Sequence, residues 1–345
     1  MRIILCGGQI PFVHGGAEIL VQALKQELVN RGHLVDVVQL PLRWDVRAGV
    51  VQGYLAWRLL DLAVVEGQKT DLLIATKFPS FAVRHPNKVT WLIQQFRQLY
   101  ELYGSEYSPY GHLPEDRAFQ QVVHQADTRT LAESKRLFTI SQNVANRLAH
   151  YNGLQANVLY PPPKNDGRFR HETYGDYILT VSRLNVMKRV DLLIEAMAHV
   201  RSGARCLVVG RGAEEDALKK LAGRTRAGER VEFLGYVDDE ELLSLYANAL
   251  AVYYAPYDED YGYATVEGFK AQKPVLTATD SGGVLEFVED GVTGYAFDPA
   301  APAQLAEQID RLYGDRAACR RLGRAGFERV QAITWQATIP RLLGE

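Results

Sequence analysis

The 345-residue sequence predicts an α/β protein built from two doubly wound, Rossmann-like domains facing each other across a cleft. Three observations lead there. The chain is longer than a single hydrophobic core usually grows. It opens with a strand, a glycine-rich loop, a helix and a second strand, the start of a doubly wound domain. After three consecutive prolines at 161–163 the same alternation begins again.

Taken in order, RIILC is a short buried-strand pattern followed by GGQIPFVHGG, and AEILVQALKQELVNRGH then places its apolar residues at helical spacing. LVDVVQL, DLLIAT (71–76), KVTWLI (88–93) and LFTIS (137–141) supply further strands, each rich in strand formers. Ser141 stands where it would cap the helix QNVANRLAHY. The polar and aromatic stretch 94–130 is poorly periodic at first and reads as loops and helices beside the cleft. Residues 1–160 form the first domain and 161–176, prolines followed by polar residues, a linker. The second domain covers 177–330. There YILTVS, ARCLVVG, VEFLGYV, LAVYYAP and PVLTAT read as strands, alternating with the helices VDLLIEAMAHVRS, AEEDALKKLAGRT, DEELLSLYANA and TVEGFKAQ. Residues 331–345 are expected to form a C-terminal helix returning toward the first domain.

Composition narrows the class. Hydrophobic residues make up 47% and charged residues 23%, as in ordinary globular proteins. Formal charge is +3 over residues 1–163 and −5 over the rest, which argues against a nucleic-acid partner. Three widely spaced cysteines, Cys6, Cys206 and Cys319, suit buried free thiols and a reducing compartment. The interrupted apolar N-terminus reads as neither signal peptide nor membrane span, so a cytoplasmic protein is expected. Segment 43–62, with its Trp, Arg and Leu, suits peripheral membrane contact and a buried amphipathic helix equally well.

Four constellations bear on chemistry. Loop 7–18, GGQIPFVHGGAE, has glycines that let backbone N–H groups approach an anion, but it lacks the spacing of a dinucleotide or P-loop motif. In VSRLNVMKRVD, Arg183 and Lys188 follow a strand and lead into a helix; they fit a metal-free diphosphate clamp and two exposed loop charges about equally. In VVGRGAEEDALK the glycine turn is weak alone, and Glu214 suits the helix N-terminus. Finally, Asp258-Glu259-Asp260 stands just before a helix expected to start near Tyr263, with Glu267 one turn in. A solvated acidic turn, a metal site and a set of acceptors for vicinal hydroxyls compete there. The cations at 183 and 188 lower the weight of metal.

These pieces, in this order, resemble the retaining glycosyltransferases of family 4, of the glycosyl transferases group 1 type, which have the GT-B fold. HGGAE is similar to the family's acceptor-side loop and SRL…K to its diphosphate clamp. GRGAE resembles its G-x-G-x-E turn, FLGYVDDEEL the segment around the nucleotide base, and EDYGYATVE carries its E-x7-E motif. SGGVLEFVEDGVTGYAFDP continues that motif. The resemblance covers nearly the whole chain and implies transfer of a sugar from a nucleotide donor with retained configuration. By that resemblance Glu259, with the amides of Asp260, Tyr261 and Gly262, holds the donor sugar and Glu267 its ribose. Arg183 and Lys188 stabilise the leaving diphosphate, approached by Gly15 and Gly16, and Gly212 belongs to the donor loop. No metal or other cofactor is implied.

Where the family often has a histidine near the transferring carbon, this chain has Gln94, which hydrogen-bonds but cannot carry an imidazolium charge. His14, His85 and His112 are candidate stand-ins. LYPPP resembles mannosyl-transferring relatives. The expected partners are a nucleotide-sugar donor and a glycan or lipid-linked acceptor, at the inner face of the membrane or in the cytoplasm. A nucleotide-sugar-binding protein without turnover and a GT-B-like epimerase or phosphorylase are the competing readings.

Overall fold

A computed structural model describes residues 1–12, 15–225 and 228–345. The chain divides into two compact units: Met1–Lys164 with Trp335–Glu345, and Asn165–Thr334.

The first unit contains β1 (Arg2–Gln9), α1 (Gly16–Asn30), β2 (Leu34–Pro41), α2 (Arg47–Leu59) and a short hairpin of β3 (Val64–Val65) and β4 (Gln68–Lys69). There follow β5 (Leu72–Ala75), β6 (Lys88–Leu92), α3 (Pro114–Ala132), β7 (Arg136–Thr139), α4 (Gln142–Asn152) and β8 (Asn157–Val158). The main sheet runs β2-β1-β5-β6-β7-β8 with parallel neighbours throughout. Every residue of β5 and β6 is buried, because crossover helices cover both faces of a parallel sheet. That is why LLIA carries no polar alternation, while the polar Lys88 and Thr90 of KVTWL are buried with hydrogen-bond partners. The Ser141 hydroxyl accepts the Val144 amide at 3.1 Å and caps α4, as its place after the strand suggested. Gly153 closes that helix in the left-handed conformation at φ 63°.

The second unit contains β9 (Tyr177–Val181), α5 (Val190–Met197), β10 (Arg205–Val209), α6 (Glu215–Arg224), β11 (Val231–Gly235) and α7 (Asp239–Asn248). It continues with β12 (Ala251–Tyr253), α8 (Tyr263–Lys270), β13 (Val275–Ala278), β14 (Gly294–Phe297), α9 (Pro302–Gly314) and α10 (Arg316–Val330). Its sheet order is β11-β10-β9-β12-β13-β14, again parallel. The strand order reverses between β9 and β12. In open α/β sheets such a reversal leaves a crevice outside the carboxyl ends of the two strands, where ligands bind.

The joint between the units differs from the expected linker over 161–176. Pro161, Pro162 and Pro163 are buried in the first unit, and the preceding β8 adds a strand to its sheet edge. Residues 165–176 pack on the second unit. There the Glu172 and Gly175 amides bond to the carbonyls of Ala247 and Asn248 at 3.0 and 3.1 Å, and the Tyr174 hydroxyl bonds to that of Gln272 at 3.0 Å. These polar groups of the segment are thus satisfied by neighbouring carbonyls.

The last helix, α11 (Trp335–Leu343), groups with the first unit. Trp335 lies edge-on to Trp91 at 6.5 Å and donates its indole N–H to the Pro163 carbonyl at 3.3 Å. Trp335, Ile339 and Leu342, at helical spacing, are buried. All three cysteines are free and buried; burial pushes the Cys206 thiol up to about 12. Among the described residues no helix is long and apolar enough to cross a membrane.

Candidate functional site

Four loops leave the carboxyl ends of the second unit's strands, after β9, β10, β12 and β13. They carry most of the motif residues. The glycines are what let the loops lie against one another. A Cβ at Gly210, where φ is +123°, would come within 1.9 Å of the Ser182 carbonyl oxygen, and one at Gly212 within 2.0 Å of that of Leu184. The Leu184 amide bonds to the Arg211 carbonyl at 2.9 Å and the Glu214 amide to the Leu184 carbonyl at 3.1 Å. Gly212, expected at a donor loop, therefore has a packing requirement that already accounts for glycine.

The loop after β12 is sewn to the one after β13. The Asp258 amide bonds to the Asp280 carbonyl at 3.0 Å, and the Gly283 amide to the Glu259 carbonyl at 2.7 Å. A Cβ at Gly283 would meet the Asp260 carbonyl oxygen at 2.5 Å. Gly262, at φ 89°, is the residue from which α8 starts at Tyr263, so Asp260, Tyr261 and Gly262 do immediately precede a helix N-terminus. Asp260 and Tyr261 are buried, with Tyr261 edge-on to Tyr263 and Phe287.

Lys188 and Glu259, 71 residues apart, are brought into an ion pair at the sheet's reversal point. Their side chains are 16% and 18% exposed. The Lys188 ammonium also donates to the Tyr254 hydroxyl at 2.9 Å. Burial works against the lysine charge, but Glu259 and Tyr254 outweigh it and raise the pKa above the ordinary range. Lys188 is thus a fixed cation beside a fixed carboxylate. Arg183, in the same loop, is exposed and has no ion pair among the described residues.

Glu267, one turn into α8, accepts a hydrogen bond from the Tyr246 hydroxyl at 2.7 Å. Burial pushes its carboxyl up to about 7, against the opposing effect of Tyr246. In the same unit, Ser182 Oγ, Asn185 Oδ1, Tyr263 OH and Thr265 Oγ1 are buried without a hydrogen-bond partner among the described residues. Unsatisfied buried polar atoms are uncommon and call for a reason. Two lie in the loop after β9 and two in the first turn of α8, which suits a polar ligand. Among the described residues no group of three His, Cys, Asp or Glu side chains is placed to hold a metal ion.

Gly15, Gly16 and Gln94 belong to the first unit. The Gly15 amide is taken by the Glu18 carboxylate at 2.9 Å, which caps α1 and pairs with Lys77. Gln94 is half-buried just beyond β6, and its carbonyl accepts the Phe78 amide at 3.3 Å. His14 lies outside the described residues. His85 Nδ1 accepts the Asn87 amide at 3.0 Å, and His112 Nε2 is 3.0 Å from the Ser108 carbonyl, so both serve local turns.

Sequence reading missed Tyr246, Tyr254, Arg189 and Asp280. Arg189 and Asp280 form a two-pronged ion pair of 2.9 and 2.5 Å across 91 residues of sequence. No local pattern marks such a pairing.

The glycosyl transferases group 1 family matches residues 163–329. An uncharacterized glycosyltransferase of Methanocaldococcus jannaschii is 24% identical over 88% of this chain and 87% of its own. Among solved structures, sucrose-phosphate synthase from Thermosynechococcus elongatus superposes with a TM-score of 0.81 at 20% identity, covering 99% of this chain and 97% of that one. HepE of Anabaena, crystallised with UDP-glucose, superposes with a TM-score of 0.74 at 18% identity, covering 100% and 98%. The fold is that of the GT-B glycosyltransferases.

Proposed function

The chain carries, over residues 163–329, a domain of the glycosyl transferases group 1 family, and from that premise we propose that it transfers a hexose from a nucleotide-sugar donor to a hydroxyl of a glycan or lipid-linked acceptor, retaining the anomeric configuration. The observation that carries this reading is the pairing of Lys188 with Glu259 at the strand-order reversal; the loop after β9 and the first turn of α8 add buried polar atoms that lack partners among the described residues. A ligand with an anionic end and a hydroxyl-bearing end matches such a surface. The LYPPP turn favours mannose as the sugar.

In this reading Lys188, with Arg183, neutralises the charge that develops on the diphosphate as its bond to the anomeric carbon breaks. Glu259 accepts from sugar hydroxyls and Glu267 from the ribose. The acceptor oxygen bonds to the anomeric carbon on the face the diphosphate leaves, and its proton passes to a phosphate oxygen. The protein then contributes position and fixed charge rather than a covalent intermediate. No metal is needed for the charge that two cations already balance. The family resemblance assigns Gly15, Gly16 and Gln94 to the same reaction, and variants of each would test that.

The test is a panel of nucleotide sugars assayed for diphosphate release and for thermal stabilisation. Release with at least one donor, abolished in Glu259→Gln, is expected. Stabilisation by nucleoside diphosphates without turnover on any acceptor would instead favour a binding protein. No response to any nucleotide would refute the proposal.

A further inference from the structure

We infer that Arg189, acting with Asp280, is the positioning residue that sets the Lys188 ammonium against the Glu259 carboxylate. The inference rests on the donor-site reading above and deepens it.

Lys188 and Arg189 are adjacent yet make unrelated contacts. Arg189 takes the left-handed conformation, φ 50° and ψ 44°, which costs a residue with a Cβ about 1 kcal/mol. That backbone turn separates the two side chains. The Lys188 ammonium goes to Tyr254 and Glu259. The Arg189 guanidinium goes under the loop that follows β12, where Nε donates to the Ala255 carbonyl at 2.8 Å and one terminal nitrogen to that of Pro256 at 3.0 Å. Both terminal nitrogens reach Asp280, at 2.9 and 2.5 Å. The Arg189 carbonyl in turn accepts the Tyr253 hydroxyl at 2.7 Å, and the guanidinium lies 5.8 Å from the Tyr257 ring.

Asp280 completes the connection. Its carbonyl holds the Asp258 amide, one residue before Glu259, and the next carbonyl, of Ser281, takes the Glu259 amide at 3.3 Å. One planar guanidinium thus fixes the backbone before Glu259, the loop after β13 and the residue next to Lys188. Lysine cannot replace it, because a point charge with three donors does not reproduce the fork that meets a carboxylate and two carbonyls in fixed directions. None of these contacts needs a ligand, so Arg189 acts on the chemistry only through its neighbours.

The experiment compares wild type with Arg189→Lys and Asp280→Asn by competitive labelling with an amine-reactive anhydride, read at each lysine by mass spectrometry. Only the neutral amine reacts, and its fraction rises about tenfold for each unit by which the pKa falls. The expected result is labelling at Lys188 about tenfold faster in both variants, with exposed Lys219 unchanged as the internal reference. Unchanged labelling of Lys188 in folded variants would overturn the proposal. So would loss of folding in both, which would make Arg189 a support of the fold. Should Arg189→Lys alone fail to fold, the milder Asp280→Asn decides. In the same proteins kcat is expected to drop about tenfold with donor KM within about threefold. A wild type that turns over no nucleotide sugar refutes the transferase reading, and the labelling result still decides the role of Arg189.

Discussion

Lys188 and Glu259 should be thermodynamically coupled, and the coupling can be measured without any substrate. Lys188→Met keeps the apolar stem and removes the charge, taking from the four-fifths buried Glu259 carboxylate the ammonium it pairs with. Breaking a buried pair from one side costs about 3–5 kcal/mol, and the residual exposure of 16% and 18% places this pair at the lower end, about 3 kcal/mol. Glu259→Gln leaves Lys188 its bond to the Tyr254 hydroxyl and should cost less, about 1–2 kcal/mol. The double variant buries no unpaired charge and should recover at least about 1 kcal/mol of the summed loss. Urea unfolding of the four proteins gives this cycle directly. Additive losses within about 0.5 kcal/mol would refute the reasoning, since the two groups would then not depend on each other. In a nucleotide-sugar assay Lys188→Met should lower kcat by about 10- to 100-fold, the effect of losing a charge-assisted contact to the leaving group. Unchanged turnover at saturating donor removes Lys188 from that contact.

Glu267, held at about 7 in the folded chain against about 4.3 unfolded, binds a proton that the unfolded chain has released between those values. Its contribution to stability is therefore full below pH 4 and falls by about 1.4 kcal/mol per pH unit up to 7, while a ribose that needs the carboxylate binds more tightly above 7. Glu267→Gln should flatten both profiles, and parallel profiles would sink the assignment. Asp127, fully buried and accepting the Tyr100 hydroxyl at 2.7 Å, is pushed up to about 8 by burial, so wild type should lose about 3 kcal/mol relative to Asp127→Asn between pH 5 and 7. Equal slopes in urea unfolding would show that Asp127 ionises in the fold. Chelator should leave the transfer rate unchanged, and a loss restored by Mn²⁺ or Mg²⁺ would revive a metal at Asp258 and Asp260.

Much of the second unit was legible because buried parallel strands are written as short runs of apolar and β-branched residues. ILTV, CLVV and VLTA each fall inside a strand. Gly262 before Tyr263 marked the start of α8 correctly. What escaped was set by tertiary contact. β8 was not read as a strand, since two residues carry no period. Arg189 in a left-handed turn had no glycine to betray it. Asp280 and Tyr246 find their partners through sheet order, across 91 and 21 residues, and no window of local sequence contains both ends. Gly212 was noticed for ligand approach, yet the carbonyl of Leu184 gives it a packing reason.

The mutual neutralisation of Lys188 and Glu259 has a consequence for selectivity. Free phosphate drawn to the lysine would cost it the Glu259 contact, and a free sugar drawn to the carboxylate would leave the lysine only its bond to Tyr254. Only a molecule presenting both chemistries at once replaces the contact it disrupts. On the proposed function, the pair would thus act as a coincidence detector, favouring a molecule that carries both chemistries over either fragment alone.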